Sequence, residues 1–93
     1  DQSAVTTGST GMPNPPDLSA GSSLYVATGH LDDDIPTDTT APSNMILAKN
    51  QSGNEGTVRS TTMIAYGIGG PTTIGSFGGS GNDTHVGVSM RFS

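Results

Sequence analysis

Thr84-His85-Val86-Gly87-Val88-Ser89-Met90-Arg91-Phe92 decides how the rest of this 93-residue chain is read. Val86, Val88, Met90 and Phe92 recur at every second position, with His85, Gly87, Ser89 and Arg91 between them. A period of two marks a β-strand, whose successive side chains point to opposite faces. The pattern predicts a strand over 84–92 that is apolar on one face and polar on the other. The apolar set is the best ordered in the chain, and it is expected to be buried at an assembly contact or in the middle of a sheet. The polar face is expected to tolerate substitution.

Three more strands are predicted upstream. Val58–Ile68 alternates weakly, with Val58, Ile64, Tyr66 and Ile68 on one face and Met63 and Ala65 on the other. Asn44–Asn50 holds the dense apolar run Met45-Ile46-Leu47-Ala48, too short for a helix between Pro42 and Gly53. Asn-Gln-Ser-Gly-Asn-Glu-Gly at 50–56 is turn chemistry suited to a hairpin. Leu24–Leu31 places Leu24, Val26, Thr28 and His30 opposite Tyr25, Ala27 and Gly29.

The segments between these strands read as loops. An acidic loop spans 31–42, and a Gly-rich loop spans 69–83 with Phe77 isolated within it. Residues 1–22 read as an extended arm, because Pro13, Pro15 and Pro16 exclude a helix or a central strand. Such an arm buries too little to order itself and is expected to add contact surface rather than core. The whole reads as all-β: an arm over 1–22, then a region over 23–93 with a small sheet of about four strands and long Gly/Ser/Thr-rich loops, completed by other chains.

Composition supports that class. Only sixteen residues are Leu, Ile, Val or Phe, whereas 39 are Gly, Ser or Thr. A core this lean falls below what an ordinary globular domain carries. No apolar run is long enough for a membrane-spanning helix, and without cysteine there is no disulfide framework. Lys49, Arg59 and Arg91 are the only basic residues in a chain of net charge −5, too few to neutralise a run of phosphates. Nucleic acid is therefore excluded as a partner. The first 38 residues carry six aspartates and no Lys or Arg. Few charges and many small polar residues point to an extracytoplasmic setting: virion surface, cell surface or outer membrane. A chain opening at Asp1 is expected to be a processed product or part of something longer.

No catalytic constellation stands out. His30 and His85 are the only histidines, and G-x-S-x-G, H-E-x-x-H and P-loop patterns are all missing. The chain is expected not to be an enzyme and to need no cofactor. Asp32, Asp34 and Asp83 are hard oxygen ligands of the type calcium takes, but their spacing lacks the glycine and closing glutamate of a calcium loop. Gly78-Gly79-Ser80-Gly81-Asn82-Asp83 matches the opening of a calcium-binding nonapeptide in a single copy, where the chemistry needs neighbouring copies. Asn50-Gln51-Ser52 and Asn82-Asp83-Thr84 fit the glycosylation acceptor pattern in expected turns.

Val86, Val88, Met90 and Phe92, with an aromatic near the chain end, resemble the last strand of bacterial outer-membrane barrels. That resemblance covers about nine residues and implies a segment giving about four strands per chain to an oligomeric barrel. It is the alternative. The first expectation is a non-enzymatic structural or accessory subunit of a surface assembly (virion coat, pilus or cell-envelope complex). Its partners would be copies of itself or larger subunits, meeting at Val86, Val88, Met90 and Phe92. Membrane contact is left open by the sequence.

Overall fold

A computed structural model describes residues 1–19, 24–69 and 73–92. The last residues of the arm, part of the Gly-rich loop and Ser93 lie outside the described residues. Among the described residues there are five strands and no helix: β1 Gln2–Gly8, β2 Leu24–Asp32, β3 Ile46–Glu55, β4 Val58–Ile68 and β5 His85–Phe92. They form a single open antiparallel sheet in the order β1-β5-β2-β4-β3.

The expectation of about four strands falls one short. Gln2–Gly8, counted within the arm, pairs along β5 from Gln2↔Arg91 to Gly8↔His85. It is an edge strand ahead of the prolines, so those prolines never enter the ladder. The hairpin expected at 50–56 is tighter than its composition suggests. β3 runs on to Glu55, opposite Val58, and only Gly56-Thr57 turn. Gly56, at φ 63°, takes the first central position, where a type II′ hairpin turn calls for glycine. A register shift between Leu47 and Lys49 bulges the outer strand β3.

One face of the sheet is covered by the chain's own irregular segments. The core there is Met12, Tyr25, Ala27, Leu31, Met63, Ala65, Ile74 and Phe77. Met12 belongs to the arm, and Pro13 and Pro15 beside it are fully buried, so the arm supplies core as well as contact surface. Two glycines make room for it. Gly29 and Gly87 sit opposite one another on β2 and β5. A Cβ at Gly87 would lie 2.7 Å from the Pro15 nitrogen, and one at Gly29 would lie 2.7 Å from the Pro13 Cβ. The bare backbone of this pair is the trough in which Pro13-Asn14-Pro15 lies.

Hydrogen bonds then fix the arm to the sheet. The Tyr25 hydroxyl donates to the Pro16 carbonyl at 2.8 Å, and the Ser89 hydroxyl donates to the same oxygen. The Thr6 hydroxyl donates to the Asn14 carbonyl, and the Phe77 N–H donates to the Pro13 carbonyl at 3.0 Å. Proline cannot donate, but its carbonyl remains an acceptor, and the arm attaches mostly through its carbonyls.

Candidate functional site

The polar face of β5 is not the exposed side that its pattern predicts. His85, Gly87, Ser89 and Arg91, the face expected to tolerate change, are buried beneath the arm. Val86, Val88 and Met90 are only half-buried, and Phe92 is 43 % exposed. The close approach of the arm demands a bare backbone at Gly87, and that position carries His85, Ser89 and Arg91 inward with it. The large apolar side chains are left on the other side.

The remaining strands follow the same division. Register places Val5 beside Val88, Val26 beside Met90, and Leu24 between Phe92 and Ile68. Ile64, Tyr66 and Ile46 continue the same face across β4 and β3. Among the described residues, nothing of the chain packs over this face as a second layer. Ile68 is 81 % exposed, Val58 69 %, Val5 62 % and Ile46 59 %. Scattered exposed aliphatics are ordinary, and Val58 stands apart beside Glu55, but the register runs Val5, Val88, Met90, Val26, Tyr66 and Ile46 together across all five strands.

Charge is sparse on this open face. Lys49 stands beside Ile64, and Asp32 and Glu55 lie toward one end. His30 lies on it too, its Nδ1 3.0 Å from the Thr62 hydroxyl opposite. Three of the eight acidic residues are spent elsewhere, in pinning loops over the covered face. The Asp17 carboxylate accepts from the Ile74 N–H at 3.0 Å, and Asp34 from the Asn82 N–H at 3.0 Å. Asp38 accepts from both the N–H and the hydroxyl of Ser80 at 3.0 Å. The Ser80 N–H, and after it the hydroxyl, hold the Asp38 carboxyl below its ordinary value. Asp33 pairs loosely with Arg59 at 3.8 Å, both side chains about half exposed.

The calcium candidates are placed by this arrangement. Asp34 serves Asn82 and the Ile35 N–H, while Asp83 accepts from the Thr84 N–H at 2.6 Å. Asp32 ends β2 on the open face, its own N–H given to the Thr84 carbonyl. Among the described residues, no three His, Asp or Glu side chains gather as a metal site requires. Of the glycosylation candidates, Asn50 lies exposed in strand β3 rather than in a turn, and Asn82 uses its Oδ1 to accept from the Gly11 N–H at 2.7 Å.

Neither histidine is held by a carboxylate among the described residues. The His85 ring sits over Gly8, where any Cβ would lie 2.4 Å from it, and its Nε2 is 3.0 Å from the Thr10 carbonyl. The second ring nitrogen of His85 is buried without a hydrogen-bond partner. The hollow beside it is lined by Thr6, Thr10, Asn14 and Ser76, none of them ionisable at neutral pH. Arg91 lies over Tyr25, its guanidinium carbon 4.5 Å from the ring centre, and donates to the Gly69 carbonyl.

The sequence pattern marks Phe77 only as an isolated loop residue and passes over Ile74, yet both close the core from within the Gly-rich loop. A lone aromatic among glycines was the available signal, since an isolated ring that size is seldom left in water. In comparisons with protein-family models, curated proteins and solved structures, nothing matches this chain.

Proposed function

We propose that this chain is a non-enzymatic structural subunit of an extracytoplasmic assembly, and that its open sheet face is covered by another chain. The observation that carries the reading is the continuous apolar patch from Val5 on β1 to Ile46 on β3. A sheet with an apolar face reaches a stable architecture when a second layer buries it. The outer edge of β1 adds to the case. Gln2–Gly8 carries no charged side chain, no proline and no bulge, the usual guards against pairing with another strand. By contrast, β3 has both a bulge and Lys49.

The barrel alternative draws on one observation, confined to β5: its polar and glycine positions are under cover and its apolar ones outside, as in a membrane barrel strand. The strand order counts against it. Up-and-down barrels place sequential strands side by side, whereas β5 here lies between β1 and β2. The assembly reading is therefore preferred.

The molar mass of the native particle, measured by light scattering, tests this. A particle of several chains is expected. A monodisperse 9.3 kDa monomer across the accessible concentration range contradicts it.

A further inference from the structure

We infer that the occupant of the open face is a second copy of this chain, stacked sheet on sheet about a two-fold axis. This deepens the assembly reading and rests on it. Extent is the first argument. Five strands of 7 to 11 residues, at roughly 3.3 Å per residue and 4.8 Å between strands, give a face of about 700 Å². Two such faces in contact bury about 1,400 Å², within the roughly 1,200–2,000 Å² of a stable, specific interface.

Charge is the second argument. A chain of net charge −5 would ordinarily repel its own copy. Here the carboxylates of Asp17, Asp34 and Asp38 are turned to loops on the covered side. The centre of the open face, around Val26, Thr28 and Val88, carries no charge; Lys49 lies on the outer strand β3 and Asp32 and Glu55 lie toward one end, so like can meet like across the centre. Isologous contact of one patch with itself is the commonest form of homo-oligomer. Two sheets packed in this way enclose a core about 10 Å thick.

The geometry makes a residue-level forecast. β2 is the middle strand of five, and Thr28 lies near the centre of its open side. An axis running between the two sheets through their centre brings each Thr28 close to its counterpart. The chain has no cysteine of its own, so an introduced thiol is unique. Under mild oxidation, purified Thr28→Cys is expected to form a covalent dimer at least tenfold faster than Thr37→Cys, whose position is exposed in the acidic loop. Sedimentation of the unmodified chain alone is expected to give twice the monomer mass. Equal cross-linking rates at the two positions overturn the inference, as does a purified chain that stays monomeric at high concentration. Either failure leaves the assembly reading standing if the native particle still holds several chains, since the occupant is then a different subunit.

Discussion

Gly87 shows how one missing side chain shapes this molecule. A Cβ there would meet the Pro15 nitrogen at 2.7 Å, and the Asn14 carbonyl carbon and Pro15 Cα at 2.9 Å. All three are backbone atoms, so no flexible side chain can swing aside. Gly87→Ala is expected to lift the arm from β5 and cost about 1–3 kcal/mol, the range for overpacking a well-filled site. Gly53 is the matched control, because a methyl added there would have nothing within 4 Å and the backbone angle is an ordinary one. Gly53→Ala is expected to stay within about 0.5 kcal/mol of the parent. Denaturant midpoints of the two variants check the pair, and equal midpoints would mean that the arm does not lie against Gly87.

The strands differ in how legible they are from sequence. β4 alternates weakly and stood out by its length, whereas β5 was readable because its clean alternation leaves little choice. β1 was not, because Ser3, Ala4, Thr6 and Thr7 give almost no hydrophobic contrast and the nearby prolines suggest an arm. The faces were the harder matter. Val86, Val88, Met90 and Phe92 look like a core side, and only the packing of Pro13-Asn14-Pro15 against Gly29 and Gly87 reveals that the face carrying Gly87 turns inward. Such a long-range approach leaves no periodic trace. The paired glycines on β2 and β5 were its one visible sign.

Two predictions belong to this scale. Removing residues 1–16 takes away β1 together with buried Met12, Pro13 and Pro15. The truncated chain is expected to lose its cooperative unfolding transition in circular dichroism, whereas a mere tail would leave that transition intact. The second concerns the Asp38–Ser80 clamp. Because its folded pKa is lowered, Asp38 contributes stability above its ordinary pKa, and that contribution is lost as pH falls through the folded value. Amide exchange at Ser80, corrected for its intrinsic rate, is therefore expected to rise only below about pH 4. Asp38→Asn is expected to flatten that profile, and an unchanged profile would mean that the carboxylate does not hold the loop.

At the scale of the whole molecule, total burial is unremarkable and its distribution is not. The accessible surface is 4886 Å², close to the roughly 5,000 Å² of a folded monomer of this mass. The chain reaches that figure with loops laid over one face of the sheet, while the other face keeps its large aliphatic and aromatic side chains in view. Irregular segments without a helix can cover the first face because aspartate carboxylates and proline carbonyls tie them to each other and to the sheet. Among the described residues, nothing comparable ties a layer to the second. Val88→Asp, at the centre of that open face, is expected to disrupt assembly, since it would place a carboxylate in an apolar contact. Thr37→Asp, in the exposed acidic loop, is expected to leave the particle size unchanged.

Hydroxyl-radical footprinting of the native particle tests the central claim most directly, because it reads side-chain exposure on each face separately. Met63 and Tyr25 on the covered face are buried within a single chain and serve as internal references for protection. If another chain covers the open face, Met90, Tyr66 and Phe92 are expected to be protected to a similar degree, relative to the unfolded chain. Labelling of Met90, Tyr66 and Phe92 at rates near those of the unfolded chain, with Met63 still protected, would contradict the account.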